Sequence, residues 1–456
     1  MATLELPGRI LDIEVPPELI ADHPVEAEGR RRDDVRMLVA EKATGRLTHA
    51  LAADLDRFLR HGDVLVVNTS PTLPAAVPAY DGSVVVHLST HLGGSRWVVE
   101  VREHCGLGSR PHAVDHGMVI PLAAGGLARL RFPYSAATDA GGTRLWQADV
   151  LTPEPLSAFL AGAGRPIRYG CTDTAWPIDA YQTVFADPSI GDLGLGSAEM
   201  PSAGRPFTPE LVERLVATGV VFAPITLHTG VSSLEAHEPP YAERYQVPER
   251  TAAVVNEAHA EGRRVIAVGT TATRALETDA IGGRAHAGSG WTELVITPER
   301  GLQVVDGIIS GWHEPEASHL LLMEAVAGRP LLEASYEAAI AERYQVSAAT
   351  ALIVNEAHAE GRRVIAVGTT ATRALETDAI DGRAHAGSGW TELVITPERG
   401  LQVVDGIISG WHEPEASHLL LMEAVAGRPL LEASYEAAIA ERYHWHEFGD
   451  IHIVVP

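Results

Sequence analysis

Glycine and threonine stand where a predicted strand meets a predicted helix. The apolar run at 265–268 is followed by Gly269, Thr270 and Thr271. Backbone N–H groups at the start of the helix and the two hydroxyls would converge at this corner, which suits the binding of a carboxylate or a ribose. Alternatively, Thr270 or Thr271 could serve only as the cap of the helix.

Four ionisable side chains could carry charge or move a proton. His228 ends the predicted strand at 220–228, where strand ends present catalytic groups, although it could also be a hydrogen-bonded core histidine. Asp306 lies within an apolar predicted strand and is either a buried acid with a partner or a functional carboxylate. Arg274 and Glu277 lie three residues apart on one helix face, a spacing that favours a plain ion pair.

Predicted helices and strands alternate along most of the chain, which argues for an α/β domain. Between 75 and 150, short β-rich runs separated by Gly, Asp and Pro predict an inserted small all-β barrel or sandwich. The other predictions in the first half are helices at 49–61, 153–164 and 208–219 and strands at 63–68 and 220–228. The later predictions are helices at 248–261, 272–280, 317–327 and 330–343 and strands at 263–268, 292–296 and 302–309.

One unit of 99 residues occurs twice in this sequence. The tetrapeptide AERY marks its borders at 242–245, 341–344 and 440–443. The two copies differ at six aligned pairs, which are Pro248/Ser347, Glu249/Ala348, Arg250/Ala349, Ala253/Leu352, Val254/Ile353 and Gly282/Asp381. A unit this long and well preserved predicts a tandem duplication rather than a structural array, whose period would be roughly 20 to 50 residues.

The second copy is predicted to begin inside a long helix. Ser347 stands where the first copy has Pro248, and proline breaks helices. Without that proline, the sequence from Leu331 to about Glu360 is predicted to form one helix of roughly 30 residues, about 45 Å long.

The first copy (242–340) is expected to dock on residues 1–241, because short sequential connections are the norm. It would then hold the functional site, with Thr270, Thr271 and Arg274 in it. The second copy would lack partners for its apolar strands. This arrangement predicts domain swapping and a homodimer completed by the exchanged copy.

The composition suits a globular protein, and we expect it in the cytoplasm, although export is not excluded. Hydrophobic residues make up 46% of 456 residues, enough for a sizeable core in two or three domains. We find no pattern typical of a signal peptide and no apolar run near the ~20 residues of a membrane span. Cys105 and Cys171 are the only cysteines, which suits a reducing compartment. The net charge of −25 indicates no obvious face for a polyanion.

Seven motifs, in order, resemble those of the S-adenosylmethionine:tRNA ribosyltransferase-isomerase family of queuosine biosynthesis. They are "GDVLVVNTS" (62–70), "AYQTVFA" (180–186), "PSAGRPFT" (201–208), "ITLHTG" (225–230), "RRVIAVGTTATRALE" (263–277), "VVDGIISGWHEPEASHLLLMEA" (304–325) and "EFGDIHIVV" (447–455). The resemblance implies an α/β domain with an inserted β-barrel. It also implies transfer of the ribosyl part of S-adenosylmethionine to a 7-aminomethyl-7-deazaguanine base in tRNA and its rearrangement to an epoxy-cyclopentane. Adenine and methionine leave, and no metal is required.

The resemblance and the repeat together define the expected domains and site. The α/β catalytic domain is expected at 1–74 and 151–344, the β-barrel at 75–150, and the second copy with a terminal strand at 345–456. The expected catalytic residues are His228, Asp306 and His313. The residues expected to bind the co-substrate S-adenosylmethionine are Asn68, Thr69, Gly204, Gly230, Gly269, Thr270, Thr271 and Arg274.

The sequence departs from the family pattern at several positions. Pro71 and Ala76 stand where arginines are usual, and Pro206 stands where a histidine is usual. Tyr241 lies in a segment that normally carries paired histidines and a glutamate, of which Glu243 remains. Loss of arginines weakens the case for tRNA, since phosphate contacts supply much of the affinity for nucleic acids.

Three functions are therefore open at the level of the sequence. The first is the family reaction on tRNA. The second is an enzyme that uses S-adenosylmethionine on a small-molecule acceptor. The third is a catalytically silent relative that binds a ligand or a partner protein. Release of adenine without tRNA would favour the second function, and binding without turnover would favour the third.

Overall fold

A computed structural model describes twelve stretches of the chain. They are residues 21, 23–105, 108–134, 144–168, 176–192, 195–231, 241–313, 319–340, 342–391, 393–410, 418–440 and 451–454. The chain divides into two compact units, Met1–Ser335 and Tyr336–Pro456. Of the helices in these stretches, none combines the length and the apolar character needed to cross a lipid bilayer.

The first unit contains fifteen described strands and the described helices up to α7, which crosses into the second unit. The strands are β1 (Arg36–Glu41), β2 (Arg46–Leu51), β3 (Val64–Asn68), β4 (Ala76–Pro78), β5 (Val85–Gly93), β6 (Arg96–Cys105), β7 (Gly108–Pro111), β8 (Val119–Pro121), β9 (Leu127–Pro133), β10 (Leu145–Leu151), β11 (Val221–His228), β12 (Glu243–Val247), β13 (Val265–Val268), β14 (Gly288–Thr292) and β15 (Gly307–Ile309). The helices are α1 (Leu156–Ala163), α2 (Pro188–Asp192), α3 (Pro209–Ala217), α4 (Glu249–Ala260), α5 (Thr270–Thr278), α6 (His319–Ala327) and α7 (Arg329–Ile340).

A six-stranded sheet forms the centre of the first unit. Its order is β14-β12-β11-β3-β13-β15. The strands β11, β3, β13 and β15 are parallel, and β12 and β14 add to one side in antiparallel fashion. All five residues of β3 are buried, as expected for a central strand covered on both faces. The first copy of the repeat therefore contributes β13 directly beside β3.

Helices cover both faces of this sheet. One hydrophobic cluster joins β3 to α4 and α5, and it includes Val64, Val66, Ala252, Val255 and Leu276. The cluster on the other face joins β3 to α3, and it includes Leu65, Val67, Leu211 and Leu215. Alternate residues of a strand point to opposite faces, which explains how one strand supplies both clusters. The mixed α/β class predicted from the sequence is confirmed.

A second, antiparallel sheet lies in the chain between β3 and β11. Its order is β4-β5-β6-β10-β9-β8, with β7 paired to β6. A single bridge between Ala79 and Leu122 connects its two ends, and Tyr80 N donates to Pro121 O at 2.9 Å. The insertion of a β-sheet into the α/β body is thus described, whereas a closed barrel remains a prediction.

Three predicted elements differ from those in the structure. The helix predicted at 49–61 is wrong, because strand β2 runs to Leu51 and a 3-10 helix follows at Ala52–Arg57. The strand predicted at 292–296 lies earlier, as β14. The strand predicted at 302–309 is reduced to β15, because the Glu277 carboxylate takes the N–H groups just before it.

The second unit contains the second copy of the repeat. Its elements are β16 (Glu342–Val346), α8 (Ala348–Ala359), β17 (Ile365–Val367), α9 (Thr369–Thr377), β18 (Gly387–Thr391), β19 (Gly406–Gly410), α10 (His418–Ala426), α11 (Arg428–Ala440) and β20 (Ile451–Val454). The strands form one pair, β16-β18, and one three-stranded sheet, β17-β19-β20.

The long helix predicted across the border of the two copies is wrong. The helix α7 ends at Ile340, and α8 begins only after β16. Ser347 caps α8, because its Oγ accepts a hydrogen bond of 3.0 Å from Thr350 N. Replacing proline by serine therefore exchanges one helix-starting residue for another, and β16 is held in place by its pairing with β18.

Candidate functional site

The carboxyl ends of the parallel strands meet at one edge of the six-stranded sheet. Asn68 ends β3 and His228 ends β11. Gly269 directly follows β13, and Ser310 directly follows β15. Ligands of open α/β sheets bind outside such ends, so this edge is the candidate site, which we call the carboxyl edge.

Asn68 connects the two central strands at the carboxyl edge. Its Nδ2 donates to Leu227 O at 2.9 Å, and its Oδ1 accepts from Leu227 N at 3.0 Å. The same Nδ2 lies 3.4 Å from Thr271 Oγ1. Beside it, Thr69 Oγ1 donates to Ile225 O at 3.0 Å. Both side chains thus link β3 to β11, and Asn68 also links β3 to α5. These contacts fix the geometry of the edge.

The glycine–threonine corner starts α5 as predicted, but its threonines do not cap the helix. Gly269 is the N-cap residue, has φ of 96° and donates to Ile309 O at 2.8 Å. No side chain caps this helix, so the alternative interpretation of Thr270 or Thr271 as a simple cap is wrong. A left-handed φ favours glycine at this position.

His228 is a neutral imidazole in contact with a serine. Burial lowers its pKa to about 4, and the charges of Arg244 and His91 add to the effect. Its Nδ1 lies 2.8 Å from Ser70 Oγ. Ser70 in turn accepts a hydrogen bond of 2.8 Å from Ser197 Oγ, and both serines are buried. The motif at 62–70 contains Ser70, but no pattern in the sequence indicated Ser197.

Arg274 binds Glu243 rather than Glu277, so the predicted helical ion pair is wrong. Arg274 Nη1 donates to Glu243 Oε2 at short range, and its Nε donates to Leu294 O at 3.0 Å. Glu243 Oε1 accepts from Gly230 N at 3.1 Å. Burial raises the pKa of Glu243, against the effect of Arg274. Arg274 is therefore a buried support of the edge, and most of its donors already have partners.

Glu277 has a structural role of its own. It is fully buried, and its Oε1 accepts from the backbone N–H groups of Gln303, Val304 and Val305 at 2.9 to 3.1 Å. Its Oε2 pairs with Arg300 at 3.1 Å. The carboxylate thereby ties α5 to the segment that leads into β15.

Two histidines stack beside β15. The rings of His313 and His319 lie 4.7 Å apart and nearly parallel. Burial lowers the pKa of His313 to about 3, and the neighbouring His319 adds to this effect. Burial also lowers the pKa of His319 to about 4, with a further contribution from Arg274. Ser310 Oγ lies 3.0 Å from His313 Nε2. The pair supplies neutral imidazoles, and His319 was not singled out from the sequence.

The inserted β-sheet also reaches the carboxyl edge. A side chain at Gly230 would lie 2.7 Å from Ser89 Oγ and 3.1 Å from Thr90 Oγ1. Val231 N donates to Ser89 Oγ at 3.0 Å. Gly230 is thus required by close contact with β5, and sequence reasoning missed both hydroxyl groups.

Gly204 lies in a short 3-10 turn over the same edge. The turn Ser202–Gly204 is adjacent to the glycine–threonine corner, since a side chain at Gly269 would lie 3.4 Å from Ala203 Cβ. Gly204 itself is buried, and a side chain there would contact Thr183 at 3.3 Å.

Asp306 is not at the carboxyl edge. It precedes β15, and its Oδ2 accepts from Val265 N at 2.8 Å, at the amino end of β13. The same oxygen lies 3.3 Å from His259 Nε2, and the Asp306 side chain is 49% exposed. The alternative of a buried acid is therefore wrong, because almost half of this side chain is exposed. Asp306 lies at the amino ends of the parallel strands, opposite the carboxyl edge.

The second copy presents the same residues in a different setting. Val268 of the first copy is 3% exposed, whereas the equivalent Val367 is 71% exposed. The difference arises because β13 pairs with β3, while β17 pairs with β19 in a separate sheet. Arg373 keeps the contacts to Leu393 O at 2.8 Å and Thr391 O at 3.3 Å.

A surface depression of about 560 Å³ lies along α4 and the segment 284–287. None of its lining residues belongs to the carboxyl edge. We assign the site to the edge, because hydroxyls and neutral imidazoles converge there. Within the described stretches, no three metal-ligating side chains form a cluster.

The lowered pKa of His228 predicts a dependence of stability on pH. Its folded-state pKa of about 4 lies below the ordinary value of 6.5, so the unfolded chain binds the proton more tightly. The free energy of unfolding should therefore fall as the pH decreases from 6.5 to 4. In urea titrations, His228→Gln should reduce this slope by up to about 1.4 kcal/mol per pH unit. The exposed His286 is the control, and an equal change in His286→Gln would contradict the prediction.

Comparison with known proteins gives a consistent result. The family model described as "Queuosine biosynthesis protein" matches residues 10–346 and again 341–454. An S-adenosylmethionine:tRNA ribosyltransferase-isomerase from Heliobacterium modesticaldum is 34% identical over 365 residues, 74% of this chain and 96% of the relative. The protein of the same name from Moorella thermoacetica is 35% identical over 351 residues, 73% of this chain and 95% of the relative.

A solved structure is also similar to this chain. It is an S-adenosylmethionine tRNA ribosyltransferase from Thermotoga maritima, 22% identical, and the match covers 97% of this chain and 99% of that one. The TM-score is 0.24, which is too low to bear on the fold.

Proposed function

Because this chain belongs to the queuosine biosynthesis protein family, we propose that it is an S-adenosylmethionine:tRNA ribosyltransferase-isomerase. It transfers the ribosyl part of S-adenosylmethionine to a 7-aminomethyl-7-deazaguanine base in tRNA and rearranges it. Adenine and methionine are released. S-adenosylmethionine is consumed as a co-substrate, and the reaction is assigned to the cytoplasm without a metal.

The observation that best supports this proposal is the set of groups at the carboxyl edge. Thr270, Thr271 and the N–H groups at the start of α5 can bind polar parts of the co-substrate. His228 and His313 are neutral imidazoles, which can exchange hydrogen bonds with a leaving group without adding charge. We assign Asp306 no part in this site, because it lies at the amino ends of the strands.

Supporting residues would keep this edge rigid. Asn68 and Thr69 hold the central strands, and Arg274 holds Glu243 against Gly230 N. A rigid edge keeps the hydroxyls and imidazoles beside it preorganised for charge that develops in a transition state. Arg274 therefore acts by positioning rather than by direct contact.

Trp312 provides a surface for a base beside His313. Its side chain is 54% exposed at the carboxyl end of β15. Base–aromatic stacking is worth about 1–3 kcal/mol per base, and every base has a face that can stack. Stacking would partly offset the missing arginines in binding of the acceptor base.

We further propose that the seven-stranded sheet closes as the inserted barrel and that the repeat is a tandem duplication. The separate matches of the family model to 10–346 and 341–454 support the second point. The exposed Val367 edge of β17 favours exchange with another chain, which would give a domain-swapped homodimer.

Incubation with S-adenosylmethionine, with and without unmodified tRNA, tests the proposed reaction. We expect adenine and methionine in mass spectra only when tRNA is present, and we expect their yield to fall as salt increases. Adenine released without tRNA would indicate a small-molecule acceptor. Binding of S-adenosylmethionine with no product from any acceptor extract would indicate a silent relative and refute both enzymatic functions.

A further inference from the structure

A chain of hydroxyl groups leads into the ring of His228. Thr229 N donates to Ser197 Oγ at 3.1 Å. Ser197 Oγ lies 2.8 Å from Ser70 Oγ, and Ser70 Oγ lies 2.8 Å from His228 Nδ1. Ser197 is fully buried and Ser70 is 1% exposed, so both hydroxyl groups are shielded from bulk water. We call this set the serine relay.

The hydrogen-bond partners favour one direction of donation along the relay. Ser197 Oγ accepts from Thr229 N, which leaves its own proton for Ser70. Ser70 then has its proton free for His228 Nδ1. The opposite direction would send the Ser197 proton to Leu227 O, 3.5 Å away. That oxygen already accepts from Asn68 Nδ2 at 2.9 Å, so the opposite direction is the weaker arrangement.

We propose that the serine relay fixes His228 in the tautomer with its proton on Nε2, and that this N–H is a hydrogen-bond donor to the reacting co-substrate. Ser70 and Ser197 are then positioning residues. The identity of the group that accepts this hydrogen bond rests on the proposed function. A donor of this kind matches an electron-rich nitrogen of the departing adenine, whose negative charge grows as its bond to the ribose breaks.

In this tautomer His228 cannot be the base that takes a proton from carbon. An imidazole whose Nδ1 accepts from Ser70 and whose Nε2 carries hydrogen has no free lone pair toward the ligand. The electrostatic effects of Arg244 and His91 further disfavour the charged form of the ring. The base must therefore be another group.

The tautomer can be measured in the intact protein without substrate. Proton–nitrogen correlation spectra of the protein labelled with ¹⁵N-histidine should show His228 with hydrogen on Nε2 and an unprotonated Nδ1 at neutral pH. Ser70→Ala identifies the resonance by shifting it. Hydrogen on Nδ1 in the wild-type protein would overturn the proposal, whether or not the protein turns over S-adenosylmethionine.

Kinetics of Ser70→Ala and Ser197→Ala test the positioning role. Loss of the hydroxyl donor should lower kcat roughly tenfold with KM within about twofold, because binding groups remain. The acid limb of the pH profile should move to higher pH in Ser70→Ala. A donor to Nδ1 favours the neutral ring, so its loss raises the pKa of His228. The control is Ser335→Ala, which removes a buried serine of α7 whose Oγ donates to Leu331 O. This variant should leave kcat and the pH profile unchanged.

The outcomes separate this inference from the proposed function. Wild-type turnover with an unaltered kcat and pH profile in both serine variants would refute the relay and leave the function intact. Absence of wild-type turnover with every acceptor would refute the function, and the spectra would still decide the tautomer.

Discussion

His228→Ala is expected to lower turnover by about 10²-fold or more, because a preorganised hydrogen-bond donor to charge that develops in the transition state contributes about this factor. His228 ends β11 at the carboxyl edge and is held by Ser70. Its loss would leave the binding groups of α5 in place. We therefore expect the reduction mainly in kcat, measured as adenine released per enzyme with saturating tRNA.

A folded control distinguishes chemistry from packing. His228→Gln keeps a polar side chain, and circular dichroism and urea titration should establish that both variants fold. His286→Gln, on the exposed surface, should turn over like the wild type. A folded His228→Ala with an unchanged rate would make this residue a core histidine without a catalytic role.

Arg274→Ala is expected to destabilise the first unit by about 3–5 kcal/mol, because it leaves Glu243 as a buried carboxylate without its partner. Arg274 is 8% exposed and also bonds to Leu294 O. Since Glu243 holds Gly230 N, affinity for S-adenosylmethionine should fall at least about tenfold, or 1.4 kcal/mol. Calorimetric titration and urea unfolding provide the two measurements.

The repeat supplies a matched control for this prediction. Arg373→Ala changes the aligned residue of the second copy, whose strand β17 lies outside the six-stranded sheet. We expect its affinity for S-adenosylmethionine to equal that of the wild type. Loss of binding in Arg373→Ala alone would mean that the second copy holds the site.

A chain without residues 345–443 completes this test. The strand β20 pairs with β19 in the second unit, and β15 is the first-copy equivalent of β19. In the shortened chain β20 is expected to pair with β15 and to extend the six-stranded sheet. Light scattering should then show a monomer, and S-adenosylmethionine should still bind, whereas the full chain is expected to be a dimer.

Motifs in the sequence indicated several of the residues that lie at the carboxyl edge. Asn68, His228 and Gly269 each follow an apolar run, and the ends of parallel strands meet at one edge by the rules of strand topology. Asp306 could not be placed this way. An acid in an apolar run gives no sign of which end of the strand it occupies, and the structure puts it at the amino end.

Ion pairs were the least predictable feature. Arg274 and Glu277 have the spacing of a helical pair, yet each bonds across the fold, to Glu243 and Arg300 respectively. A helical pair of this kind is worth about 0.2–0.5 kcal/mol, whereas three backbone donors converge on buried Glu277. Long-range contacts therefore decide the partners of buried charges.

The sequence by itself determined the α/β class, the position of the inserted β-rich segment and the existence of two nearly identical copies. These features depend on local patterns of apolar residues and turns, which are the same wherever the segment lies. Only the tertiary structure decided which copy completes the sheet. Val268 and Val367 have the same neighbours in sequence, but one is 3% and the other 71% exposed. The physical reason is that β3 pairs with β11 on one side, which leaves only its other side for a further strand. The strand β13 of the first copy occupies that side.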